Sequence, residues 1–137
     1  MSAGAAASII LAVLAVIHVY WAAGGALGKS SAIPTRNGKQ IFTPTPVTTI
    51  LVALALFAMA ALNAVKLGWI AAPGMAKFTQ PGLWLVAGTF LLRAIGDFHY
   101  VGFFKRQRES RFAKLDTLVY SPICLLLACL IAISASS

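Results

Sequence analysis

The sequence predicts an all-α fold, an integral membrane bundle of four transmembrane helices whose sequence neighbours are antiparallel. Three observations lead there. First, 60% of the 137 residues are hydrophobic, about 82 side chains, and only 10% are charged, against roughly 25% in ordinary soluble domains. Four spans of ~20 apolar residues each would use nearly all of those side chains. Second, the apolar residues fall into four runs separated by proline, glycine and basic segments. Third, the cations collect in two of the connections. A soluble chain of this size has too little interior to hide so much apolar surface. The composition therefore excludes a soluble enzyme, a disulfide scaffold and a disordered chain. It also excludes a nucleic-acid module, despite a net charge of +8.

The whole chain, residues 1–137, reads as one membrane domain with spans at about 3–27, 47–71, 82–104 and 115–133. Span one, through SIILAVLAVIHVYW, has no Lys or Arg before it and is too long for the core of a signal peptide. Its Gly24-x-x-x-Gly28 offers close backbone approach. The connection after it holds Pro34, the Asn37-Gly38 turn signal and Thr43-Pro44-Thr45-Pro46. Pro46 suits a first helical turn, where its missing N–H is not needed. Span two is closed by Pro73-Gly74, and span three opens at Pro81 or Gly82. The basic run Lys105–Lys114 leads to span four. There, Pro122 deprives the Leu118 carbonyl of its helical donor and predicts a kink. Cys124 and Cys129 are five residues apart, about 140° around a helix, and cannot bridge each other.

Short connections place the first and third loops on one side. They carry Lys29, Arg36, Lys39, Lys105, Arg106, Arg108, Arg111 and Lys114, eight of the 11 cations, whereas the other side has Lys66 and Lys77. This bias places the basic loops in the cytoplasm and both termini outside. The expected partners are the bilayer and anionic lipid headgroups at those loops, with no nucleic acid; a homo-oligomer is left open.

The few polar residues within the spans are the informative ones. Insertion of a charge costs at least ~2.5–3.5 kcal/mol, so such groups face the protein interior and find partners. Measured from the basic side at ~1.5 Å per residue, Arg93 lies ~16 Å deep, His18 ~14 Å, Asp97 ~10 Å, and His99, Tyr120 and Ser121 ~8 Å. Asp116 and Thr117 sit just inside the same boundary, and Asn63 alone lies towards the outer face. Arg93 and Asp97, at i,i+4, can pair. His18 and Trp21 share a face of span one. The sequence thus predicts a polar pocket in the cytoplasmic half, built by spans one, three and four from His18, Trp21, Arg93, Asp97, His99, Asp116, Thr117, Tyr120 and Ser121. Arg93 serves in it as an anion anchor or as the partner of Asp97. An ion pair that only fixes helix register explains Arg93 and Asp97 equally well.

No catalytic residue and no metal set follow from these positions, since two histidines without a third ligand make a poor zinc site. No cofactor is expected. Two alternatives stay open: a b-type haem protein with His18 and His99 as axial ligands, and a membrane enzyme using a histidine with Asp97 or Asp116 on a lipid-soluble substrate.

Three stretches carry a resemblance: HVYWAAGG (18–25), LLRAIGDFHYVGFFKR (91–106) and RFAKLDTLVYSPICLLLA (111–128). With the spacing of the spans, they make the chain resemble an uncharacterised family of small bacterial four-helix integral membrane proteins, a domain of unknown function. The resemblance implies His18, Trp21, Gly24, Gly25, Arg93, Gly96, Asp97, Phe112, Asp116, Thr117, Tyr120, Ser121 and Pro122 as motif positions. It implies an architecture and no activity.

Overall fold

A computed structural model describes residues 1–137. Helices α1 (Ala3–Ala22), α2 (Pro46–Lys66) and α3 (Ala76–Ile95) are followed by the short α4 (Arg111–Leu115), a π-helical turn (Asp116–Tyr120) and α5 (Ser121–Ser136). The last three run on as one rod, Arg111–Ser136. Strands β1 (Thr35–Arg36) and β2 (Lys39–Gln40) pair antiparallel in the first loop. The turn between them is the expected Asn37-Gly38, with φ of 51° and 76°. That pair of left-handed residues is what a tight hairpin with right-twisted strands requires.

Helix starts follow capping chemistry. Ser2, Thr45 and Ser110 each accept a backbone N–H three residues on, which satisfies a donor that no helical carbonyl can reach. The ends of α1 and α2 follow glycine. Gly24 and Gly68 adopt φ of 101° and 75°. Gly25 N–H donates to Tyr20 and Gly24 N–H to Trp21, while Trp69 N–H donates to Ala64 and Gly68 N–H to Val65. Both are Schellman closures. They end the helices five residues before the expected limits at 27 and 71, and Gly24 is a terminator rather than a packing contact.

The third helix departs most from expectation. It begins at Ala76, so that Pro81 lies inside it, and it stops at Ile95 instead of Phe104. Gly96, with φ 92°, breaks the ladder, and residues 97–110 form a folded loop. Ser110 then starts the final rod a turn earlier than the predicted 115. The irregularity expected at Pro122 is the π turn just before it, where Ser121 N–H donates to the Asp116 carbonyl five residues back. Five α-helical steps would set Asp116 and Ser121 about 140° apart. The wider turn lets both be fully buried.

α1 packs chiefly on α2 and α3 on α5, and the α1–α5 and α2–α3 contacts join the two pairs. The core holds Ala7, Leu11 and Ala15 of α1, Leu56 of α2, Leu83, Val86, Ala87 and Phe90 of α3, and Leu127, Ala128, Ile131 and Ala135 of α5. Half of these twelve are alanine or valine, so the backbones approach closely. Bulkier side chains such as Ile9, Val13, Leu54, Phe57, Trp84, Leu85 and Leu126 point outward. The helices Ala3–Ala22, Pro46–Lys66 and Arg111–Ser136 are long and apolar enough to cross a membrane. Helix α3 has the length but falls short in apolarity, its ends carrying Lys77, Gln80 and Arg93.

Candidate functional site

Asp116 organises the end of the bundle where α3 stops and the final rod begins. Its side chain is fully buried. Oδ1 accepts from Arg93 Nη2 at 2.8 Å, and Oδ2 accepts from Lys105 Nζ at 3.0 Å and from the Gly102 amide at 2.8 Å. Lys105, 1% exposed, also donates to the Gly102 carbonyl at 2.9 Å and to Thr117 Oγ1 at 2.6 Å. A buried carboxylate is costly unless its oxygens find donors, and three donors from two segments, α3 and the loop after it, converge here. The i,i+4 pairing of Arg93 with Asp97 does not form, because the helix has ended before Asp97. Arg93 reaches across to the last rod instead.

The loop is built to deliver these donors. A Cβ on Gly96 would collide with the Val101 carbonyl, and one on Gly102 with the Ile95 carbonyl, and both glycines have φ near +90°. No other residue type fits that close backbone approach. Asp97 is exposed and folds the loop from within: its Oδ1 accepts the His99, Tyr100 and Val101 amides at 2.9, 2.8 and 3.0 Å. Partial desolvation pushes its acidity the other way, yet these three amides, with His99 nearby, hold the Asp97 carboxyl below the usual carboxylate range.

The nine residues expected in one pocket therefore occupy separate places. Arg93, Asp116 and Thr117 come together. Ser121 is buried one turn on, and its Oγ has no partner, as is true of Arg93 Nη1. Tyr120 lies against Phe112 and donates to the Ser31 carbonyl at 3.3 Å, which ties the rod to the first loop. Asp97 and His99 are exposed in the loop. His18 and Trp21 meet edge to face, ring centroids 5.2 Å apart, beside a different opening.

That opening is a half-open cavity of about 270 Å³ between α1, the first loop and the start of α2. Ile33, Phe42, Pro44 and Val52 give it apolar walls, and His18, Lys29 and Thr48 are polar members of its lining. His18 Nδ1–H donates to the Leu14 carbonyl at 2.7 Å, leaving Nε2 free. The neutral ring then offers an acceptor and the protonated ring a second donor. Lys29 makes no side-chain hydrogen bond or ion pair. Nowhere do three or more His, Cys, Asp or Glu side chains form a metal-binding group.

Lys105 was missed by sequence reasoning, which counts it among the loop cations. Its position inside the stretch 91–106 is shared with Arg93 and Arg106 and does not set it apart. At the opposite end, Asn63 Nδ2 donates to the Gly4 carbonyl at 2.6 Å and to Ser8 Oγ at 3.0 Å, and Ser134 Oγ donates to Asn63 Oδ1 at 2.7 Å. This cluster clamps α1, α2 and α5 together.

No curated protein and no solved structure matches the chain. The chain belongs to the family described as "Protein of unknown function (DUF3995)", whose sequence pattern matches residues 11–131. The matched region takes in the Asp116 cluster, the loop that serves it, Asn63 and the His18 cavity.

Proposed function

We propose that the chain is a multi-pass protein of the bacterial inner membrane, crossing four times with both termini outside the cytoplasm, and that the His18 cavity binds a small amphipathic ligand. The small-residue core and bulky apolar exterior support insertion, because lipid-facing helices gain from close backbone packing and lose nothing by exposing Leu, Val or Phe. Helix α3 supplies the third of the four crossings. Its outward residues Phe78, Trp84, Leu85, Leu91 and Leu92 are apolar, and Arg93, the charge in its last turn, is paired with Asp116. The cation bias of the two loops sets the orientation.

The observation that carries the binding reading is the cavity lining. Apolar walls meet a histidine with one free ring nitrogen and a lysine with no partner. Such a wall suits a hydrocarbon body beneath an anionic or hydrogen-bonding head. An acid–base enzyme has less support, since both candidate carboxylates are engaged, Asp97 by three amides and Asp116 by Arg93, Lys105 and Gly102. Native mass spectrometry of protein extracted from its own membranes tests this. Wild type should retain a lipid-sized adduct. Val52→Trp, which fills the cavity, should remove it, and His18→Ala and Lys29→Ala should each reduce its occupancy about tenfold, roughly the loss of one charge-assisted hydrogen bond. A wild type without adduct, or an adduct that survives Val52→Trp, overturns the proposal.

A further inference from the structure

A second cavity, of about 320 Å³, lies where the tip of the β1–β2 hairpin meets the segment before the final rod. Thr35, Arg36, Asn37 and Gly38 form one side and Gln107, Glu109, Ser110 and Arg111 the other, so that no lining residue is hydrophobic. It differs in kind from the His18 cavity. Two exposed arginines, Arg36 and Arg111, line it from segments about 75 residues apart in sequence, and neither side chain makes a hydrogen bond or ion pair within the protein. Of the other arginines, Arg93 is used on Asp116 and Arg108 on the Lys105 and Phe103 carbonyls, while Arg106 makes no such bond but does not line the cavity. Ser110 Oγ is held by its capping bond to the Ala113 amide. Glu109 is the only acidic member of the lining and pairs with neither arginine.

We infer that this cavity is a phosphate-binding site, with Arg36 and Arg111 as its two clamps and Asn37 and Gln107 as neutral donors. Two unpaired guanidiniums on opposite walls match a phosphate group, whose oxygens accept forked N–H pairs from both sides. The single carboxylate leaves the lining at a net charge of +1, which becomes neutral or negative when a phosphate enters. The phosphate can belong to a lipid headgroup or can be free in solution. The inference is independent of the His18 cavity, with which this site shares no lining residue.

Calorimetric titration of the detergent-solubilised full chain tests it, using three probes: dihexanoyl phosphatidic acid, dihexanoyl phosphatidylcholine and inorganic phosphate. Phosphatidic acid should bind, and Arg36→Gln with Arg111→Gln should weaken it at least tenfold. Arg106→Gln removes a cation of the neighbouring loop that does not line the cavity, and should change binding less than threefold. Saturation by phosphatidic acid alone identifies a lipid headgroup as the natural source. Equal saturation by inorganic phosphate, with the same arginine dependence, identifies a free phosphate. The inference fails if neither anion binds, if Arg106→Gln weakens binding as much as the double variant, or if phosphatidylcholine binds equally with no arginine dependence. Should the double variant fail to fold, Arg36→Lys decides the matter: it keeps the charge but loses the fork, and at least a threefold loss is expected where Arg106→Lys shows none.

Discussion

The bundle has a buried polar cluster at each end, and they solve the same problem differently. At the Asn63 end, one amide and two hydroxyls close on each other and on the Gly4 carbonyl. All the groups are neutral and come from regular helices. At the Asp116 end, one carboxylate serves two cations and a loop amide, leaving a local excess of positive charge and two unpartnered atoms, Arg93 Nη1 and Ser121 Oγ. The neutral cluster is a clamp between helices. The charged one holds a non-helical loop in place, and that loop needs Gly96 and Gly102 in left-handed conformations. Charge here fixes a backbone shape that helix packing alone would not.

Asp116→Asn breaks the comparison most severely. It leaves Lys105 and Arg93 without their counter-charge, and removing one partner of a buried ion pair costs about 3–5 kcal/mol. Thermal unfolding in detergent should show the largest drop of any single change at either end. Adding Lys105→Met should recover only part of the loss, because Arg93 stays uncompensated. At the other end, Asn63→Leu should cost about 1–3 kcal/mol by stranding Ser8, Ser134 and the Gly4 carbonyl. Here Ser134→Ala in the same chain should restore a measurable share, since removing both partners of a neutral bond is far less damaging than removing one. If the double change recovers equally at both ends, the distinction between them is lost.

Acid should separate the two ends most gently. The Asp97 carboxyl is depressed in the folded chain, so its contribution is complete above the unfolded value near 3.8 and is lost as pH falls through the lower folded value. The Asn63 cluster has nothing to titrate. Amide resonances of His99, Tyr100 and Val101 should therefore move below pH 3.8 while those around Asn63 stay fixed, and Asp97→Asn should abolish the movement. Equal movement at both ends would mean general acid unfolding.

Much of the architecture was legible because helix periodicity and apolar run length carry it. The four helical segments, the turn at Asn37-Gly38 and the irregularity before Pro122 all lie where local chemistry puts them. The meeting of the hairpin with Gln107–Arg111 brings the two basic loops together, as antiparallel neighbours require. What sequence reasoning could not supply was where α3 stops. Residues 96–104 are apolar enough to continue a span, and only the backbone angle of Gly96 ends it. The misplaced partners on α3 and its loop follow from that point. Asp97 and His99 leave the helix, Arg93 exchanges its expected partner for one 23 residues away, and Lys105 turns inward. Burial of a single lysine among eight loop cations has no local signature, because it depends on where a distant carboxylate sits. The expected convergence of His18 with Arg93 assumed that equal depth means proximity, whereas depth leaves the angle around the bundle undetermined.

The π turn at Asp116–Tyr120 works like an expansion joint in the final rod. By inserting one residue into the hydrogen-bond ladder, it shifts the phase of everything after it by about 100° relative to a continuous α-helix. The half before the joint buries Phe112 and presents Asp116 to the loop, and the half after it presents Leu127, Ile131 and Ala135 to the apolar core. A continuous α-helix of the same length would turn the two sets about 100° out of phase and could satisfy either but not both. The wide turn of this segment, more than the identity of any side chain in it, is what allows one helix to serve a charged cluster and an oily core together.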